Sequence, residues 1–221
     1  MQSNKYLYVV FLATSATMFG ALMASSVKFL TTDLHPIIIC FYRCLMGLIF
    51  ITPWVIKNNF KALRSNNLKL QISRSVINVF SMICWFSAIG LMHFEKAAAL
   101  GFSTPLFTTI LAIILLKEKI RFHRTAALII GFIGIIVIIR PGLVPFEIGA
   151  GLLLLSAFTF SFVLIIVKKL SSIDESQTII FYHLLFSTPI FFILSLFYWQ
   201  DINLSQLMIF SFMGATGLLS H

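Results

Sequence analysis

Arg43 is the residue whose chemistry most needs a setting. It stands inside an apolar stretch, Pro36 to Ile56. It lies about seven positions in, or roughly 10 Å deep at ~1.5 Å of rise per residue. An ionised guanidinium is costly in hydrocarbon, so it must face a bundle interior or a water-filled cavity. One role is an anchor for a carboxylate or other anionic group, which guanidinium holds through two parallel hydrogen bonds. The alternatives are a structural ion pair with Glu95 or Asp33, or snorkelling toward the membrane surface.

Other polar side chains within apolar stretches extend this set of candidates. His183 follows Tyr182 as Arg43 follows Tyr42, and its unperturbed pKa near 6.5 permits titration, although packing through a hydrogen bond serves equally well. Asn78, Ser81 and Trp85 recur at i, i+3 and i+7 and so share a helical face. That face is either a cavity wall, with Trp85 stacking on a flat ligand, or a seam of interhelical hydrogen bonds. Ser103 lies beside a face made by Gly101, Pro105, Thr108 and Ala112. Pro105 removes a backbone donor and is expected to kink its helix, freeing the Gly101 carbonyl and shaping a cavity or hinge, with close packing of a small-residue face the alternative. Gly131 and Gly134, with Ala127, form a small-residue face that permits close helix approach, and Glu118 among basic neighbours reads as solvated ion pairing.

The elements that must hold these residues are set by composition. The chain is 59% hydrophobic and only 10% charged, against roughly 25% charged in a soluble domain. Its mean hydropathy is +1.01. It reads as an all-α, polytopic membrane bundle whose principal partner is the lipid bilayer. Apolar runs long enough to cross ~30 Å of hydrocarbon are Leu7 to Val27, Pro36 to Ile56, Ile72 to Met92, Ala97 to Leu116, a shorter Thr125 to Ile139, Ile148 to Val167, Thr178 to Tyr198, and Leu207 onward. The N-terminal run is too long for a signal peptide and lacks a small-residue cleavage site, so it is expected to be a retained helix.

Charge orients the bundle. Lys5 and the segments after even-numbered spans carry 12 of the 16 basic residues, including Lys57, Lys69, Arg74, Lys117, Lys168 and Lys169. The positive-inside rule then places the N-terminus in the cytoplasm of an inner-membrane protein. A net charge of +9 is accounted for by these short loops and by anionic lipid, so no nucleic-acid partner is expected. Cys40, Cys44 and Cys84 lie within spans as small hydrophobes. No ligand spacing for a metal, phosphate loop or nucleophile elbow is present, so neither a cofactor nor enzymatic activity is expected.

The sequence also repeats itself. Lys28 to Arg43 aligns without a gap to Lys168 to His183, with five identical positions in sixteen and the conservative pairs Thr31/Ser171 and Thr32/Ser172. Five crossings separate the copies, so the second is inverted relative to the first. Inverted repeats of this kind hold substrate near the midplane at their interface, which would draw Arg43 and His183 toward one region.

Phe41-Tyr42-Arg43, Ser103-Thr104-Pro105-Leu106, Leu116-Lys117-Glu118-Lys119, Gly131-Phe132-Ile133-Gly134 and Ile139-Arg140-Pro141-Gly142, in this order and spacing, resemble the EamA-type permeases of the drug/metabolite transporter superfamily. The resemblance implies two inverted five-helix repeats, ten helices in all, that carry a small organic metabolite. Residues 7–142 would form the first repeat and 148–221 a shortened second, giving seven or eight of the ten spans. A C-terminally incomplete carrier is the expectation, a non-transporting membrane fragment or scaffold the alternative, and homodimerisation is left open. No Asp or Glu lies deep in any span, so a facilitator or exchanger working by alternating access is expected rather than a proton-driven pump.

Overall fold

The computed structural model of the chain describes residues 2–57, 65, 67–117, 122–139 and 147–219. Every regular element among them is helical. The α-helices are α1 (Gln2–Leu30), α2 (Pro36–Lys57), α3 (Leu68–Leu91), α4 (Phe94–Gly101), α5 (Ser103–Leu116), α6 (Phe122–Ile139), α7 (Ile148–Leu170), α8 (Ser176–Ser195) and α9 (Leu204–Leu219), and one 3₁₀ turn, Leu196–Tyr198, extends α8. Each apolar run of the sequence thus becomes a helix, because a chain in hydrocarbon must satisfy its own backbone groups. Five stretches are long and apolar enough to cross a membrane: Pro36–Lys57, Leu68–Leu91, Phe94–Leu116, Ile148–Leu170 and Ser176–Tyr198. This is a multi-pass membrane protein. On α6 the outward side chains Ile129, Ile130, Ile133, Ile136 and Val137 are all exposed, as a face covered by lipid rather than water requires.

The chain divides into two compact units, Met1–Ser65 with Glu175–His221, and Asn66–Asp174. In the first, α2 packs on both α8 and α9, and α1 packs on α9. In the second, α7 packs on α3, α4 and α5, and α6 packs on α4 and α5.

The main departures from the sequence expectation concern helix ends. α3 begins at Leu68 rather than Ile72, because the Asn67 side chain accepts the Leu70 amide and caps it. Lys69 and Arg74, counted above as loop cations, therefore belong to α3, and Arg74 is buried. The fourth run is two helices rather than one kinked helix. The Phe102 amide turns back to the Ala99 and Leu100 carbonyls, and α5 restarts at Ser103. Pro105 is consequently the third residue of a new helix, where a missing N–H costs nothing because first-turn amides have no intrahelical acceptor. α5 ends at Lys117 in the left-handed region, φ 54, a terminating conformation usually filled by glycine.

Two seams hold the second unit. The Ser81 hydroxyl donates to the Ser156 carbonyl at 3.0 Å, and the Ser156 hydroxyl returns a bond to the Ser81 carbonyl at 2.8 Å. Small residues at this crossing let α3 and α7 approach closely, and interhelical bonds of this type contribute on average ~0.6 kcal/mol each. At the foot of α3, the Gln71 amide donates to the Asp174 carboxylate at 2.9 Å, both residues being buried. Lys96 and Glu147 form an ion pair of 2.8 Å at a partly exposed site, where such pairs contribute at most ~1 kcal/mol.

In the first unit, the turn between α1 and α2 is closed by a stacked pair. The His35 and Tyr198 rings lie 4.0 Å apart and parallel within 1°, and the His35 amide donates to Gln200 Oε1 at 2.9 Å. Burial holds the His35 imidazole below its ordinary value of 6.5. The folded state therefore binds fewer protons than the unfolded one, and the contribution of this clamp is fully present above that value. It is lost as pH falls from there toward the lowered folded pKa. Thermal unfolding in detergent from pH 7.5 to 5 should show a loss of stability that His35→Gln lacks.

Candidate functional site

α2, α8 and α9 meet around a cleft of about 290 Å³, counting its open mouth. From α2 come Arg43 and, one turn on, Gly47; from α8 come Ile180, His183 and Leu184. From α9 come Met213, Gly214, Gly217 and Leu218. The repeat-equivalent residues Arg43 and His183, 140 positions apart, thus line the same cleft. His183 is 5% exposed, and its Nδ1 lies 3.1 Å from the hydroxyl oxygen of Ser187, one turn along α8. Among the described residues of the lining, Arg43 is the arginine or lysine, and none is acidic. An anionic group can meet the guanidinium there through charge-assisted hydrogen bonds.

Glycines make this geometry. A Cβ on Gly214 would fall 2.7 Å from Met46 Cβ and 3.0 Å from both the Met46 carbonyl carbon and the Gly47 nitrogen, so α9 rests directly on the α2 backbone. A Cβ on Gly47 would meet the end of the Leu184 side chain at 3.1 Å. A Cβ on Gly217 would stand 3.8 Å from Arg43 Nη2. None of these three glycines was singled out from the sequence. The available signal was the Gly214-Ala215-Thr216-Gly217 run, which puts two glycines three apart on one helical face.

Aromatic residues flank the same helices. Tyr42 stacks on Phe210 of α9, centroids 5.1 Å apart and planes at 21°. Tyr182 is buried on α8, stacked on Phe186 and edge-on to Phe181. Neither tyrosine lines the cleft.

The remaining candidates belong to the second unit. Asn78 is buried on α3 with its amide nitrogen 3.9 Å from the Met82 sulfur. It is part of a polar face that also carries Gln71, Arg74, Ser75 and Ser81, all buried. Trp85 is half-buried and meets Phe86 edge-on at 5.0 Å. Ser103 is fully buried, and its hydroxyl has no hydrogen-bond partner among the described residues. Gly131 takes Leu106 so closely that an added Cβ would lie 2.6 Å from its side chain, whereas Gly134 faces open space. Glu118 lies outside the described residues. No cluster of three potential metal ligands occurs among the described residues.

Comparison with known proteins gives this arrangement its family. The profile of the EamA-like transporter family matches residues 7–140. The chain belongs to the EamA-like transporter family. Among its relatives is an S-adenosylmethionine uptake transporter of Rickettsia prowazekii, 27% identical over 190 residues that make up 86% of this chain and 65% of that protein. A riboflavin transporter of Vibrio cholerae is 32% identical over 144 residues, 65% of this chain and 48% of that one. A second riboflavin transporter, from Brucella anthropi, is 25% identical over 159 residues, 72% and 56% of the two chains. This EamA-like chain thus spans about two thirds of the length of the Rickettsia relative, and these relatives are transporters of small metabolites.

Proposed function

We propose that the protein is an inner-membrane carrier, N-terminus in the cytoplasm, that moves a small carboxylate-bearing metabolite by alternating access as a facilitator or exchanger. One observation carries this reading: Arg43 and His183, matched by the internal repeat, line one acid-free cleft. The relatives' cargoes narrow the class. S-adenosylmethionine carries a carboxylate that guanidinium can grip, and riboflavin carries none.

The inverted repeat, residues 7–142 and 148–221, supplies the mechanism, and several details support it. After α1, the Thr31 and Thr32 hydroxyls donate to the Lys28 and Phe29 carbonyls, and the Leu34 amide to Leu30. After α7, the Ser171 and Ser172 hydroxyls donate to Lys168 and Lys169, and the Asp174 amide to Leu170. The Thr-to-Ser exchanges keep the hydroxyl that closes the turn. Helix pairing agrees. Exchanging each span with the one five later converts the α3–α7 pair into α9–α1, and both pairs occur. It maps the α2–α8 pair, which bears Arg43 and His183, onto itself. The copies also resume after their second spans: Asn67-Leu68 opens α3 and Asn203-Leu204 opens α9, 24 residues after Arg43 and 20 after His183. Rocking of one repeat against the other around such a site is the expected transport step.

Binding to the purified protein in nanodiscs tests the chemistry. S-adenosylmethionine should bind at least ~10-fold more tightly than its carboxylate-free analogue, since a charge-assisted hydrogen bond contributes ~1.5–3 kcal/mol. Equal affinity for the two would sink the assignment.

A further inference from the structure

We infer that Gly217 determines specificity in the cleft by setting the size of the group that can reach the Arg43 guanidinium; this rests on the reading of the cleft as the ligand site. Two glycines on one face of α9, Gly214 and Gly217, differ in what surrounds them. Gly214 is required by packing, because the place of its Cβ is already taken by Met46 Cβ at 2.7 Å and by α2 backbone atoms at 3.0 Å. Gly217 is different. Among the described residues its Cβ would meet only Arg43 Nη2, at 3.8 Å, an ordinary contact distance.

Glycine within a helix is less stable than alanine by roughly 0.5–1 kcal/mol, and close packing does not demand it at position 217. What its bareness preserves is the approach to the guanidinium, for a side chain there would stand beside Arg43. The neighbouring walls cannot take over this role. Met213, Leu184 and Ile180 are flexible or apolar side chains, which yield to a ligand rather than define its edge. The repeat adds a second observation. With the register fixed by Asn67 and Asn203, Gly217 corresponds to Ser81 of α3 and Gly214 to Asn78. One copy fills these two positions with polar side chains, one of which bonds to α7. The other copy leaves both bare where Arg43 passes. The equivalent faces have been put to different uses, and the cleft is on the bare one.

The consequence is size selection at the charged end of the ligand. A compact oxyanion or an unbranched carboxylate reaches Arg43 past Gly217, whereas an added side chain at this position excludes bulkier groups first.

Arginine-directed dicarbonyls read this without knowledge of the cargo. The full chain in nanodiscs is treated with 2,3-butanedione, which is compact, or phenylglyoxal, which is bulky, and modification at Arg43 is followed by mass spectrometry. In the native chain both reagents should modify Arg43. In Gly217→Val the phenylglyoxal rate should fall by about tenfold or more, the scale of steric misfit in a tight pocket, while the butanedione rate changes little. Gly217→Ala, whose Cβ the structure accommodates, should be intermediate and guards against a folding defect in the valine variant. Unchanged phenylglyoxal rates in both variants, an equal fall for both reagents, or an unreactive Arg43 in the native chain would each overturn the inference. S-adenosylmethionine added as a protectant separates the two readings. If Arg43 reacts size-selectively but is not protected, the size gauge stands and the carrier assignment fails.

Discussion

Arg43→Ala should lower affinity for a carboxylate ligand by about 10- to 150-fold, the range equivalent to the ~1.5–3 kcal/mol of a hydrogen bond to a charged group. Among the described lining residues Arg43 is the lysine- or arginine-type cation and none is acidic. Arg43→Lys should recover part of the loss, because it keeps the charge and gives up the two-pronged geometry. The comparison matters because Arg43 also belongs to the packed surface between α2 and α9. If its role were structural, the alanine variant would insert poorly or unfold at lower temperature. The expected result is near-native thermal stability with lost binding, measured by calorimetric titration with S-adenosylmethionine in the same nanodiscs used for the melt.

The largest effect on stability should come from Gly214. Even alanine places a Cβ 3.0 Å from backbone atoms of Met46 and Gly47. A backbone cannot rotate aside as a side chain does, so α9 must move off α2. Overpacking of this kind typically costs ~1–3 kcal/mol, and Gly214→Leu should cost more. Gly134→Ala provides the control. Among the described residues its Cβ would meet nothing within 4 Å, so the change should be neutral or stabilising by up to ~1 kcal/mol through helix propensity. Unfolding in detergent, followed by helical circular dichroism, should rank Gly134→Ala at or above the native protein and Gly214→Ala clearly below it. Equal stabilities would mean that the α2–α9 contact is not as close as described.

These glycines show where sequence ceases to inform. Gly134 sits in a small-residue pattern that reads as a packing face, and so does Gly214, yet one faces open space and the other a backbone. Pattern gives the face of a helix, whereas the neighbour that fills it is a tertiary fact. The helices themselves were legible, because in hydrocarbon an apolar run of sufficient length has no alternative to helix. Their ends were not. The start of α3 depends on the Asn67 cap, and the break at Phe102 on a local turn that an apolar run conceals.

The repeat was legible through Arg43 and His183, where the copies align without a gap. On the proposed repeat, the segment leading into α9 is four residues shorter than the one leading into α3, so Gly214 and Gly217 are set against Asn78 and Ser81 only from the helix starts. Arg43 stands out in the sequence because a charge in an apolar run is conspicuous. Gly217, with no side chain, leaves no such mark, although both line the cleft.

A carrier whose ligand meets Arg43 should support counterflow. Proteoliposomes holding the protein are loaded with unlabelled S-adenosylmethionine and diluted into labelled ligand with no pH gradient. The account predicts a transient accumulation of label above equilibrium, absent in vesicles bearing Arg43→Ala. Correctly inserted native protein that gives no overshoot, or one that moves label only when a pH gradient is imposed, would contradict it.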